Sequence, residues 1–281
     1  MSDVSISRRA GDQPIVKWTL IGLGVGLSAF IFGLPVVLIF SKALSSGLGV
    51  YAEKLAAPDT QHAIYLSLLT TLIVVPLNTF FGICAAWAIT RFTFPGKKLL
   101  ITLIELPFSV SPIIAGLSYL FVYGGQGLFG PWLAEHGIRV MFSVPAIFLV
   151  SLFVTSPFVA RELITTMQSQ GREDEEAALS LGASGLMTFI RVTLPNIKWA
   201  LMYGVILCNA RVLGEFGAVS VVSGKIRGQT NTLPLQIELL FNDYNAVGAF
   251  AASSILTIVA LMTLVLMSLL QRESGSTPRT H

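Results

Sequence analysis

Six apolar stretches, at 19–40, 63–90, 99–123, 140–160, 199–222 and 246–270, leave this chain few ways to fold. Each is close to the roughly 20 apolar residues that a helix needs to cross a bilayer. An open sheet would leave backbone N–H and C=O groups unpaired in lipid, so the spacing predicts six membrane-spanning helices. Composition agrees: only 12% of the 281 residues are charged, too few to cover a water-soluble domain of this length. The first stretch is too long for the apolar core of a signal peptide and no A-x-A site follows it, so it reads as an uncleaved span. The chain is therefore expected to be an all-α, polytopic membrane protein.

The basic residues orient these spans. With the N-terminus in the cytoplasm, twelve of them fall inside: Arg8, Arg9, Lys17, Arg91, Lys97, Lys98, Arg161, Arg172, Arg191, Lys198, Arg272 and Arg279. Five fall outside: Lys42, Lys54, Arg139, Lys225 and Arg227. Both termini are expected to be cytoplasmic, with 1–18 as an N-terminal segment, 19–270 as the transmembrane domain and 271–281 as a tail. The tail is polar and expected to be disordered from Glu273 onward. The fourth connection, 161–198, also lies inside and is long for a link between neighbouring spans. Outside, "TLPLQIELL" is half apolar and suited to packing on the outer face. Pro35, Pro76, Pro107, Pro112, Pro145 and Pro157 interrupt the spans, as in a packed bundle that lines a path rather than a simple anchor.

Several chemistries find no support. The net charge of +3 comes without a basic stripe, which argues against nucleic acid. Cys84 and Cys208 lie in apolar stretches and read as small core residues. The three histidines lack ligand spacing, so no metal site is expected. There is no G-x-x-x-x-G-K-[ST] run to hold ATP phosphates and no plausible catalytic triad, so no catalysis is expected of this chain. "GLGVG", at 22–26, reads as a surface for close helix packing.

The fourth connection carries "REDEEAALSLGASG", at 172–185. Four acids in the first turn of a helix are favoured by its dipole. The pattern predicts a helix from Glu173 to Leu181, a bend at Gly182, and a second helix capped by Ser184 and closed by Pro195. Their small, apolar face would suit a groove on a partner. Glu176-Ala177-Ala178, Gly182, Val192 and Leu194-Pro195 at these spacings resemble the EAA signature of ABC-importer permeases, with Val192 where isoleucine is usual. The resemblance implies that this loop docks on a separate nucleotide-binding subunit, with Glu176 and Gly182 as anchor positions.

In "NARVLGEFGAVSVVSG", Arg211 and Glu215 lie four apart inside the fifth stretch, one helical turn from each other. Charges at such depth face protein or water. Two roles stay open: the pair lines or gates a path, or it locks helices together. Glu105 is a third charge, either a neighbour of Arg211 or placed near the membrane surface. Ser109 and Ser111 are hydroxyls that could line the same path.

"GEFGAVSVVSG", with "LPFSVSPIIAGL", "TSPFVARELI" and "RVTLPNIKWAL", resembles the sulfate/molybdate/tungstate class of ABC permeases, and the sulfate/thiosulfate branch in particular. This implies a type I ABC importer permease (MetI-like) fold in the bacterial inner membrane. It also implies a CysT-like sister permease, CysA-like ATPase subunits that bind ATP and Mg, and a periplasmic sulfate- or thiosulfate-binding protein. No cofactor is expected on this chain. Molybdate or tungstate import is the nearest alternative. A gradient-driven secondary transporter, using Arg211, Glu215 and Glu105 as a relay, would leave the cytoplasmic loop without a role.

Overall fold

The computed structural model describes residues 14–275, and every regular element among them is helical. Helix α1 (Pro14–Ser28) leads through a wide π-type turn (Ala29–Gly33) into α2 (Leu34–Ala43) and the short α3 (Leu48–Ala56). Next come α4 (Pro58–Arg91), α5 (Lys97–Ser109), α6 (Pro112–Tyr123), α7 (Gly130–Glu135) and α8 (Val144–Gln170). The second half holds α9 (Glu173–Ser180), α10 (Gly185–Thr188), a second π-type turn (Phe189–Thr193) and α11 (Leu194–Leu213). It ends with α12 (Gly217–Val222), α13 (Leu233–Asn242) and α14 (Ala246–Gly275). By length and composition four helical segments can each cross a bilayer, at Val16–Ala43, Pro58–Arg91, Val144–Gln170 and Ala246–Leu269. The α5–α6 pair adds a fifth if it is one span, and the remaining apolar stretch is divided between α11 and α12.

The core is organised around α8, which packs against α4, α5, α6, α11 and α12. Gly82 lets α4 approach closely, since a β-carbon there would meet Val159 Cγ1 at 2.7 Å. One buried polar node crosses this core: Asn78 Nδ2 donates to Thr155 Oγ1 at 2.7 Å. The 34 residues of α4 extend about 50 Å at 1.5 Å per residue, well beyond a hydrocarbon layer of about 30 Å. At least one end of α4 therefore reaches past the apolar layer.

Several expectations from the sequence change here. The third stretch is two helices meeting at 113°. Pro112 excludes its predecessor from helical geometry, and Ser111 is accordingly extended at φ −58°, ψ 136°. The fifth stretch also breaks, at 214–216. The fourth begins only at Val144, set by extended Ser143 with Pro145 in the first turn, and runs ten residues past its expected end, to Gln170. Leu163 and Met167 are buried on that extension, which is why the helix continues. The connection is thereby shortened to 171–193. Pro35 does not break a span, because the π-type turn before it widens the ladder where the ring lacks a donor.

Cys208 is buried as expected, but Cys84 is exposed on α4. A β-carbon added at Gly22, Gly24 or Gly26 would meet no atom within 4 Å, so "GLGVG" makes no close packing with the described residues. The apolar outer stretch forms α13, whose Leu233 N–H donates to Ser67 Oγ at 2.7 Å, pinning it on α4. Helix α14 continues to Gly275, past the expected start of the tail. Positions 1–13 of the N-terminal segment and 276–281 of the tail lie outside the described residues.

Candidate functional site

The connection between α8 and α11 is an elbow with a glycine joint at each end of its first helix. Gly171 (φ +78°) ends α8 and Gly182 (φ +86°) follows α9, both in a region that favours glycine. Glu173, Asp174, Glu175 and Glu176 fill the first turn of α9, where the helix dipole favours carboxylates. At the far end, the N–H groups of Gly182 and Ala183 donate to the carbonyls of Leu179 and Ala178, closing the helix as a left-handed glycine allows. Ser184 then caps α10 by accepting from the Met187 N–H at 3.4 Å. These local features agree with the pattern of the sequence.

The expected end of the second helix does not. Pro195 leaves that helix open: the chain passes from α10 through the π-type turn into α11 without interruption, and Pro195 lies in the first turn of α11. The wider turn relieves the proline of the backbone bond it cannot make.

Glu176, Ala177, Gly182 and Pro195 are exposed, while Ala178 and Leu194 are half-buried. Leu179, Leu181, Leu186, Met187 and Ile190 are exposed beside them, Leu181 at 89%. The elbow thus presents apolar side chains that nothing among the described residues covers.

The four acids divide into different roles, a division that no pattern in the sequence marks. Glu175 turns inward: its Oε2 pairs with Arg91 Nε at 2.6 Å, with both side chains largely shielded from solvent. Its Oε1 accepts from the Thr193 hydroxyl at 2.6 Å. Asp174 accepts from Asn196 Nδ2 at 3.0 Å. Arg172 donates from Nη2 to the Thr90 carbonyl at 2.5 Å, and Arg91 from Nη1 to the Met167 carbonyl at 3.3 Å. Beneath these bonds lies a hollow of about 300 Å³ walled partly by Trp87, Phe92, Leu179 and Phe189. No sequence spacing links positions 91, 175 and 193. The one available signal is a cation at the end of an apolar span.

The second candidate region lies where α5 meets α6 and α11 meets α12. The two breaks are side by side: a β-carbon on Gly217 would stand 3.1 Å from Pro112 Cβ, and one on Gly116 would stand 2.8 Å from the Ala218 carbonyl oxygen. Arg211 lies in the last turn of α11 and Glu215 sits in the break that follows, so they are not on one continuous helix, yet their side chains pair at 2.8 Å. Glu215 Oε1 also accepts from the Ala218 N–H at 3.0 Å, capping α12. Ser109 ends α5 at the neighbouring break, Ser111 lies within it, and both are exposed. Glu105 is exposed on α5 and joins no ion pair among the described residues, so it is not a charge partner of Arg211.

Comparison with known proteins agrees with this architecture. Residues 78–273 match the family described as "Binding-protein-dependent transport system inner membrane component". The chain is 56% identical over 273 residues to the sulfate transport system permease protein CysW of Escherichia coli strain K12, covering 96% of this chain and 94% of that protein. It is 45% identical over 260 residues to the CysW protein of a Synechocystis species, covering 92% and 94% respectively. It is 33% identical over 242 residues to the CysT permease of Escherichia coli strain K12, covering 86% and 87%. A crystal structure of a bacterial alginate ABC transporter contains a chain of the same fold, with TM-score 0.74 at 18% identity, covering 96% of this chain and 99% of that one. The elbow, the broken helices and these matches have one reading: the chain belongs to the family of binding-protein-dependent transport system inner membrane components.

Proposed function

We propose that this chain is a permease subunit of an ATP-driven importer for sulfate or thiosulfate, forming half of the translocation path. The observation that carries the reading is agreement along nearly the whole chain with permeases named for sulfate transport. The partners are a CysT-like sister permease, CysA-like ATPase subunits that hold ATP and Mg, and a periplasmic binding protein that selects the anion. Both termini and the elbow face the cytoplasm. The basic residues in and beside the elbow, Arg91, Lys97, Lys98, Arg172, Arg191 and Lys198, support this orientation.

In this reading the exposed apolar side chains of α9 and α10 dock on the ATPase, with Glu176, Ala177, Ala178, Gly182, Leu194 and Pro195 shaping the contact. ATP binding draws the two ATPases together and moves the elbow. Helices α8 and α11 flank the elbow and move with it. The breaks at 110–111 and 214–216 absorb the change in helix direction. Arg211, half-exposed at the second break, meets the passing dianion, with Ser109 and Ser111 lining the way. Glu215 offsets the charge on Arg211, so the anion is held weakly enough to leave.

The test is uptake of labelled sulfate into vesicles that hold this chain, the sister permease and the ATPase, with binding protein supplied outside. Uptake should require ATP and all partners, and excess thiosulfate should suppress it. Suppression by trace molybdate, with sulfate itself not transported, would overturn the anion assignment. Uptake by this chain alone, driven by an ion gradient, would overturn the importer reading.

A further inference from the structure

The joints of α9 explain why its inward bonds matter. Gly171 and Gly182 bracket this eight-residue helix; both are left-handed, and a β-carbon on either would meet no atom within 4 Å. A short helix held between two such joints can swivel. A push on its outer face would then be lost as rotation unless its inner face is tied to the bundle. The ties seen are polar and converge from three spans. Glu175 meets Arg91 at the end of α4 and Thr193 just before α11. Arg91 in turn donates to the Met167 carbonyl of α8. Asp174 adds a bond to Asn196 of α11.

We infer that Arg91, Glu175 and Thr193 form a latch that transmits motion of the elbow into α4, α8 and α11. They are positioning residues, acting through α9 rather than on the anion or on ATP. The latch rests on the coupling role proposed for the elbow and names the residues through which it works. Shielding from solvent makes the ion pair stiff: removing one partner leaves an uncompensated charge in a largely dry setting. The outward acids have no such tie to α4, so Glu175 is distinguished from Glu173 and Glu176 although all lie in one turn.

The test uses the complete complex in vesicles and measures sulfate uptake per ATP hydrolysed, alongside co-purification of all subunits. Arg91→Gln and Glu175→Gln should still assemble while uptake per ATP falls by about fivefold or more, the scale of coupling between linked sites. The exchange Arg91→Glu with Glu175→Arg should recover part of the loss. Recovery is incomplete because arginine is disfavoured in the first turn of α9. A merely structural role would lower assembly and leave uptake per ATP in the surviving complex unchanged, and that result overturns the latch. So does an exchange variant no better than either single change. If the single variants do not assemble, Thr193→Val removes only the hydroxyl and is read instead: a lowered ratio supports the latch and an unchanged one overturns it. Gly182→Asp is run in parallel. If it couples normally, the coupling role of the elbow itself is wrong; if it uncouples while the latch variants do not, only the latch is wrong.

Discussion

Arg211, in the last turn of α11, and Glu215, in the break that follows it, form a 2.8 Å ion pair, yet their side chains are 34% and 1% exposed. The carboxylate is the fixed member, since it also caps α12 through the Ala218 N–H. The guanidinium is the member that a passing group could reach. The geometry therefore gives Glu215 the locking part and leaves Arg211 as the accessible charge, the member on which the proposed role in the path rests.

This asymmetry sets an expected order of effects. Arg211→Gln strands a buried carboxylate and should cost about 1–3 kcal/mol of stability, less than for a fully buried pair because Arg211 is partly solvated. Arg211→Gln combined with Glu215→Gln should be milder than Arg211→Gln alone, measured as thermal inactivation of the detergent-purified complex. Transport should remain impaired in both. Full recovery of uptake in the double variant would remove Arg211 from the path.

At Gly182 two effects can be separated. Any side chain is strained at φ +86°, but Asn and Asp tolerate this region about equally. Strain alone thus predicts that Gly182→Asn and Gly182→Asp behave alike. Docking predicts that the added charge is the worse change: Gly182→Asp should insert normally and lose uptake, with Gly182→Asn intermediate. Equal defects, read from membrane insertion and uptake side by side, would trace the effect to strain.

Glycines at close approaches should be sharply distinct from those that face outward. Gly116→Ala would place a methyl 2.8 Å from the Ala218 carbonyl oxygen and should cost about 1–3 kcal/mol by forcing α6 and α12 apart. Gly82→Ala should behave similarly between α4 and α8. Gly22→Ala meets nothing among the described residues and should stay within about 0.5 kcal/mol. Denaturation of the isolated chain in detergent would rank the three. A Gly22 variant as unstable as the Gly116 one would contradict the packing described.

The helical class, most of the apolar stretches and the elbow with its acidic start, its bend at Gly182 and its Ser184 cap are legible in the order of residues. These rest on local causes: apolar run length, a dipole, a left-handed glycine and a hydroxyl near a free N–H. Whether a proline breaks its stretch is settled in three dimensions. Pro35 and Pro195 follow widened turns and leave the helix intact, whereas Pro112 forces a 113° bend. The same local rule applies to all three, and neighbouring turns and packing choose the outcome. Burial sorts the acids in a similar way. Glu175 and Glu176 are adjacent, with equal claims in the sequence, and a helix turns adjacent side chains about 100° apart. That rotation carries Glu175 in to Arg91, 84 positions away in the chain, and leaves Glu176 facing outward.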